Sequence, residues 1–213
     1  MLPRIPERLQ SIDPATRPDH SLLSGSDCCY FLWEYTPGRP ADATAGNQLI
    51  RNLKISPAAL HRRPSRLRFK HRAIAHAARA LRRLIPREWA PDSVSFVPMP
   101  CSKVSGACDH DDRILKVLRL ALGGRNADIR ELLCMTRSMA ADHRRACRSS
   151  CEQLRGALQV RDDGRPAPRR TLVIVDDVLN SGKHFKVARE MLAARYGITD
   201  IRGLFLARCI RAR

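Results

Sequence analysis

The segment "TLVIVDDVLNSGKHF", residues 171–185, decides the fold, because a strand, two acids and a small polar loop follow one another in it directly before a helix. Residues 172–175 form a short, branched apolar run, which is typical of a parallel strand buried on both faces. Ligands of open α/β sheets bind at the carboxyl ends of such strands. We therefore expect Asp176 and Asp177 to stand at the mouth of a site.

The loop after the two acids has the composition of an anion-binding loop. It can turn several backbone N–H groups inward, and it leads into a helix N-terminus that carries partial positive charge. A Walker A nucleotide loop is excluded, because that motif needs a glycine at the position of Asp177 and a hydroxyl residue at that of His184. The predicted phosphate-binding residues are Asn180, Ser181, Gly182, Lys183 and His184.

Two adjacent carboxylates beside a phosphate loop can accept hydrogen bonds from the vicinal hydroxyls of a ribose. The alternative is that they cap the turn that follows the strand. The full order of strand, two acids, loop and helix is more specific than the acids alone. It favours a ribose phosphate as the ligand.

The second half of the chain predicts an α/β domain. Strand and helix patterns alternate there, which indicates a mostly parallel sheet with right-handed crossovers and flanking helices. Besides residues 171–185, the patterns are the strand "DSVSFVPMPCSK" (92–103), the helix "DRILKVLRLALGG" (112–124), the helix "FKVAREMLAARYG" (185–197) and the strand "DIRGLFLARCI" (200–210).

The first ninety residues do not alternate in this way. They contain a predicted strand in "CYFLWEYTPG" (29–38) and a predicted short helix in "AGNQLIRNLKI" (45–55). Residues 1–27 are punctuated by Pro and Asp and indicate a flexible arm or an extended covering segment. We therefore predict an arm over 1–27, a hood beside the sheet over 28–90, and the core over 91–213.

The formal net charge of +18, from 39 Lys and Arg against 21 Asp and Glu, indicates an anionic partner. Residues 51–90 are the most basic window, with Glu88 as the single acid. Apolar residues recur there at helical spacing, so the arginines fall mostly on the opposite, wet face. This face is either simply solvated or a surface for nucleic acid or an acidic partner. We expect no aromatic residues to lie between the arginines of this face, where they could stack on nucleic-acid bases.

Other classes are disfavoured. The chain has no apolar run of 18 residues and no secretory signal pattern, so we expect a cytoplasmic protein without a membrane partner. Its eight cysteines include no Cys-x-x-Cys pair, and Cys147 and Cys151 are the closest approach to ligand spacing. We expect reduced, packing cysteines and no protein-bound metal site.

The segment "VIVDDVLNSGKHF" (173–185) resembles the phosphoribosyl pyrophosphate (PRPP) signature of type I phosphoribosyltransferases, in which two acids follow four apolar residues and precede a Thr- and Gly-containing loop. Asn180 and His184 depart from the hydroxyl residues of that pattern. The segments "YFLWEY", "LIRNLKI", "FVPMPCSK" and "GLFLARCI" extend the resemblance to the competence protein F-type (ComF) branch. The zinc ribbon that opens many members of that branch is missing here.

The resemblance implies a Rossmann-like type I phosphoribosyltransferase fold, with a central sheet, flanking helices and an N-terminal hood. It implies that Asp176 and Asp177 hold the ribose hydroxyls and that residues 180–184 bind the 5′-phosphate. Ser102 and Lys103 would contact the pyrophosphate together with Mg²⁺, and Lys103 would join the two acids as a catalytic residue. The flexible loop that closes over PRPP would contain Arg144, Arg145 and Arg148.

The implied function is transfer of the phosphoribosyl group from PRPP to an unidentified nitrogen nucleophile, with release of pyrophosphate. The alternative is a non-catalytic PRPP or nucleotide sensor, or a nucleic-acid-binding protein in DNA uptake or genome defence, which would use the basic 51–90 face. A homodimer is a further expectation.

Two further sets of residues each have two possible roles. Asp109, Asp111 and Asp112 either bind Mg²⁺ or substrate, or cap the following helix and interact with its dipole, and we favour the helix role. His143 either orients a substrate or is a solvated loop residue, and we favour the loop.

Overall fold

The computed structural model describes residues 2–40, 42–89, 93–139 and 150–210. The strands in these residues are β1 (Gln10–Ser11), β2 (Cys29–Tyr35), β3 (Val94–Pro98), β4 (Asp128–Ile129), β5 (Leu133–Met135), β6 (Leu158–Val160), β7 (Thr171–Leu179) and β8 (Asp200–Cys209). The α-helices are α1 (Asn47–Leu53), α2 (Pro57–Arg62), α3 (Leu67–Leu84), α4 (Arg113–Leu122), α5 (Cys151–Arg155) and α6 (Lys183–Tyr196).

The described strands form one large sheet and one small one. The large sheet has six strands in the order β1-β2-β8-β7-β3-β4, and every neighbouring pair is parallel except β1 with β2. β5 and β6 pair separately and antiparallel. The sheet confirms the predicted α/β class with a mostly parallel sheet.

β7 is a central strand of the large sheet and is buried on both faces. Residues 172–175 are fully buried, as the continuous apolar run predicted. Val173 and Val175 pack into the layer of α1, α3 and α4, whereas Leu172 and Ile174 pack into the layer of α6 and the β5–β6 pair. Helices therefore cover the sheet on both sides.

The helix α3 is amphipathic over its whole length. Ala73, Ala77, Ala80 and Leu81 are fully buried, and the small side chains of the three alanines let α3 pack closely against α4. Its arginines lie on the opposite face, as the helical spacing predicted. None of the helices in the described ranges is both long and apolar enough to cross a membrane.

The predicted hood region contributes directly to the core. β2 adds to the large sheet in parallel with β8, from Cys29 opposite Gly203 to Tyr35 opposite Cys209. The long connection from β2 to β3 contains α1, α2 and α3, so the sequence does not alternate strand and helix there. This connection explains why residues 28–90 suggested a unit beside the sheet.

The described part of the N-terminal segment lies along the core. β1 pairs with β2 at the edge of the sheet, and the side chains of Ile12 and Leu23 are buried. The carboxylate of Asp27 accepts from Lys186 and Arg189 of α6 at 3.1 and 2.7 Å. These contacts tie the segment to the helix that follows the predicted phosphate loop.

Candidate functional site

The strand order reverses direction between β3 and β7. The chain leaves β3 through α4 and returns at β4 on one side, and it leaves β7 through α6 and returns at β8 on the other. In open α/β sheets, the crevice at the carboxyl ends of two such strands is where ligands bind. Met99 N donates to Val175 O at 2.8 Å, so the segments after β3 and β7 start side by side.

The two acids lie in the last part of β7 rather than after it. Pairing with β3 ends at Val175, whereas pairing with β8 continues to Leu179, so the predicted strand was too short. Successive side chains of a strand point to opposite faces, and Asp176 and Asp177 accordingly contact different layers. The two carboxylates therefore cannot accept hydrogen bonds from one ligand group on the same face of the sheet.

Asp177 is buried and paired with two cations. Lys54 Nζ lies 3.0 Å from Oδ1, while Arg113 donates to Oδ2 through Nη2 at 2.5 Å and Nε at 2.8 Å. Burial acts to raise the pKa of Asp177, but the charges of Lys54 and Arg113 outweigh it and hold that pKa well below its usual range. The carboxylate therefore stays ionised at neutral pH.

The ion pairs of Asp177 continue through Arg113 to further charged side chains. Asp111 Oδ2 lies 3.0 Å from Arg113 Nη1 and 2.7 Å from Lys70 Nζ, which also donates to Ile55 O at 2.7 Å. Burial acts to lower the pKa of Lys70, and this shift prevails over the opposing effect of Asp111. We call Lys54, Lys70, Asp111, Arg113 and Asp177 the buried ionic cluster; with all members charged it has an excess of one positive charge.

Sequence patterns did not identify the cations of the buried ionic cluster. Lys70 offered one signal, since it precedes Ile74 by four residues and Ala77 by seven and so falls on the apolar stripe of α3. A lysine in that position needs a buried acceptor. Lys54 follows α1 and Arg113 begins α4, and neither position is unusual for a cation.

Asp176 has a different environment. Its Oδ1 accepts from Asp177 N at 2.7 Å, and its Oδ2 lies 3.7 Å from His184 Nδ1 at the start of α6. Within the described residues, no lysine or arginine forms an ion pair with it. Its Oδ2 is therefore the carboxylate oxygen of the acidic pair that is best placed to accept from a ligand hydroxyl.

The predicted phosphate loop is held by the N-terminal segment. His20 Nδ1 donates to Asn180 O at 2.5 Å, and Leu22 N donates to Ser181 O at 2.9 Å. Gly182 has φ +90° at the N-cap of α6, and Leu23 packs directly against it. Both hydrogen bonds use carbonyl oxygens, so neither of them occupies a backbone N–H group of Asn180 or Ser181.

The predicted pyrophosphate loop lies at the end of the neighbouring strand. Lys103 Nζ forms an ion pair with Asp109 Oδ2 at 3.1 Å, and about a third of each side chain is exposed. Ser102 O accepts from Met139 N at 2.7 Å, so the chain leading to residue 140 packs on this loop. The predicted loop residues His143, Arg144, Arg145 and Arg148 lie outside the described residues.

The three acids before α4 form ion pairs. Asp109 pairs with Lys103, Asp111 belongs to the buried ionic cluster, and Asp112 pairs with Lys116 at 2.7 Å in the first turn of α4. In the part of the chain that the structure describes, no three His, Cys, Asp or Glu side chains form a group that could hold a metal ion.

Neither a scan against protein-family models nor a search of the curated proteins gives a match for this chain. The assignment of a function therefore depends on the geometry of the site. Chemically, that geometry combines an available carboxylate, a helix N-terminus and three cations, Lys54, Lys103 and Arg113, near the ends of two adjacent strands. Such a site suits a ligand that has both hydroxyl groups and anionic groups.

Proposed function

We propose that this protein is a phosphoribosyltransferase with a type I fold that binds PRPP with Mg²⁺ and transfers the phosphoribosyl group to a nitrogen nucleophile. One observation carries the proposal. The sequence segments expected to bind pyrophosphate and ribose 5-phosphate, residues 100–103 and 176–184, lie at the carboxyl ends of the two strands between which the sheet reverses its order. Ligand sites of α/β sheets form at this position.

The contacts suggest distinct roles for the two acids. Asp176 accepts from the ribose hydroxyls, and residues 180–184 bind the 5′-phosphate through backbone N–H groups and the start of α6. Asp177 is a positioning residue, because its two oxygens hold Lys54 and Arg113 beside the site. Lys54, Arg113 and Lys103 supply positive charge for the pyrophosphate.

The residues of the proposed site could hold Mg²⁺ that is already bound to the phosphates of PRPP. Mg²⁺ is usually bound by one or two carboxylates together with substrate phosphates and water, so a complete protein cage is not needed. Asp176 is the carboxylate that would hold it, since both oxygens of Asp177 are engaged by cations. When bound, Mg²⁺ would neutralise part of the charge on the departing pyrophosphate.

The reaction exchanges one bond at C1 of the ribose for another. The bond from C1 to the pyrophosphate oxygen breaks, the bond from C1 to the acceptor nitrogen forms, and the nitrogen loses a proton to solvent or a base. Positive charge develops on the sugar and negative charge on the pyrophosphate, so positioning and electrostatic stabilisation can supply most of the acceleration. No covalent intermediate with a protein nucleophile is needed.

Asp176→Asn is the variant that tests the proposal. We expect it to weaken PRPP binding by at least tenfold, about the 1.4 kcal/mol that losing one charge-assisted hydrogen bond costs. The measurement is isothermal calorimetry with PRPP, with and without Mg²⁺. The control is Glu7→Gln, which removes the same charge from a fully exposed pair with Arg4 and should leave the affinity unchanged.

The outcomes separate binding from catalysis. Absence of PRPP binding by the unaltered protein, or equal affinity in Asp176→Asn, rejects the site. Binding together with pyrophosphate release in the presence of amines or nucleobases supports the transferase. Binding without release from any acceptor tested would instead support the sensor alternative.

A further inference from the structure

Eight exposed arginines on α2, on α3 and in the turn between them form no ion pair with a described carboxylate. Within the described residues, the cations between positions 51 and 89 that form ion pairs are Lys54 and Lys70, both in the buried ionic cluster. The arginines of this region are exposed, and no carboxylate of the described ranges lies within 4.0 Å of them. We call them, with Phe69, the α2–α3 face: Arg62, Arg63, Arg66, Arg68, Arg72, Arg79, Arg82 and Arg83.

Many arginines elsewhere are neutralised. Among the described residues, those paired with Asp or Glu are Arg4, Arg113, Arg119, Arg130, Arg155, Arg161, Arg165, Arg189, Arg202 and Arg208. Among the described residues, no Asp or Glu forms an ion pair with an arginine of the α2–α3 face. The described carboxylates therefore leave the positive charge of these eight arginines uncompensated.

The α2–α3 face has the shape of a stripe. Arg68, Arg72, Arg79 and Arg83 recur at intervals of four, seven and four residues, which places them along one side of α3 over about 22 Å. Arg62, Arg63 and Arg66 extend the stripe at one end and line a shallow depression of about 250 Å³. A row of this length can contact several successive phosphates of a polyanion.

The stripe also exposes an aromatic ring. Phe69 is 36% exposed, its neighbour Leu67 is 42% exposed, and the guanidinium of Arg68 lies 4.8 Å from the centre of the Phe69 ring. The prediction that this window lacks an interleaved aromatic residue was wrong for Phe69. Exposed rings beside cations bind single strands, because unpaired bases stack on the ring while the cations contact the backbone.

From this combination we infer that the α2–α3 face binds single-stranded nucleic acid. Duplex nucleic acid would use the arginines but offers no unpaired base to Phe69, and an acidic protein has no regular row of planar groups to stack there. The arginine row sets the affinity and its salt dependence. Phe69 sets the preference for single strands. The inference does not depend on PRPP binding.

The test uses the full chain and fluorescence anisotropy of a labelled oligothymidylate of about 20 nucleotides, at about 50 and 200 mM salt. We expect Arg72→Gln/Arg79→Gln/Arg83→Gln to weaken binding by at least about tenfold and to reduce the salt dependence. The control, Arg119→Gln/Arg155→Gln/Arg161→Gln, removes the same charge from exposed paired arginines and should change binding less than about twofold. Equal losses in both triple variants would overturn the inference.

Phe69 gives a second test that does not alter charge. Phe69→Ala should weaken single-strand binding by roughly 5- to 150-fold and leave duplex binding unchanged, whereas Phe69→Tyr should retain binding. Because this side chain is partly exposed on a helix, circular dichroism should show little change in folding. An unchanged single-strand affinity in Phe69→Ala, or competition by polyglutamate as strong as by the oligonucleotide, would overturn the assignment. PRPP binding should be the same in all these variants.

Discussion

Asp177→Asn lowers the free energy of unfolding by about 3–5 kcal/mol, because it leaves Lys54 and Arg113 without their shared buried counter-charge. Asparagine has almost the same shape as aspartate, so the loss reports charge rather than packing. Asp177 is only 4% exposed, and water cannot readily replace the missing carboxylate oxygen. Urea denaturation at neutral pH, followed by circular dichroism, measures the change.

The matched control for this prediction is Asp176→Asn at the adjacent position. Asp176 is also buried, but among the described residues no lysine or arginine pairs with it, and its Oδ2 lies 3.7 Å from His184 Nδ1. We expect that substitution to cost about 1 kcal/mol or less, since the amide oxygen can still accept from Asp177 N. If both variants lost the same stability, the ion pairs of Asp177 would not stabilise the fold.

The same ion pairs make stability depend on pH in a defined direction. The folded pKa of Asp177 lies below its unfolded value of about 3.9. Its stabilisation is therefore fully present above about pH 5 and is lost as the pH falls through the unfolded value toward the folded one. The stability difference between the unaltered protein and Asp177→Asn should shrink steadily from pH 5 to lower pH. A difference independent of pH would contradict the assignment.

Sequence patterns predicted the elements that are long enough to show periodicity. The strands β2, β3, β7 and β8 and the helices α1, α3, α4 and α6 all have apolar runs or stripes at the expected spacing. β1, β4 and β6 contain only two or three residues each, so they carry no periodic signal. Their strand conformation comes from pairing with neighbours that the local sequence does not specify.

The side-chain contacts of the site could not be predicted from local sequence patterns, because they join residues that are far apart in the sequence. Arg113 and Asp177 are 64 residues apart, and Lys70 and Asp111 are 41 apart. The pair of acids was visible in the sequence, but their separation onto two faces depends on the continuation of β7 beside β8. The sequence therefore showed the pair of acids, and the fold determines which side chains each of them contacts.

The attachment of the N-terminal segment to the predicted phosphate loop, residues 180–184, gives the second large effect. Gly182→Ala should destabilise the fold by about 2–5 kcal/mol, as the sum of two costs. Gly182 has φ +90°, where an L-residue is strained. A Cβ atom there would also lie 2.7 Å from Cδ2 of the buried Leu23, so the loop and the segment over it would have to separate.

Gly197→Ala distinguishes the cost of backbone strain from the cost of the contact with Leu23. Gly197 ends the same helix, α6, with φ +68°, and an added Cβ there would meet nothing within 4 Å. Gly197→Ala should therefore cost only the backbone strain of about 1–2 kcal/mol and leave PRPP affinity intact, whereas Gly182→Ala should also lose PRPP binding because the loop moves. Denaturation midpoints and PRPP calorimetry on both variants make the comparison. If the two alanine variants were equally stable, the contact between Leu23 and the loop would not contribute to the cost. If they also bound PRPP equally well, the N-terminal segment would not shape the proposed phosphate site.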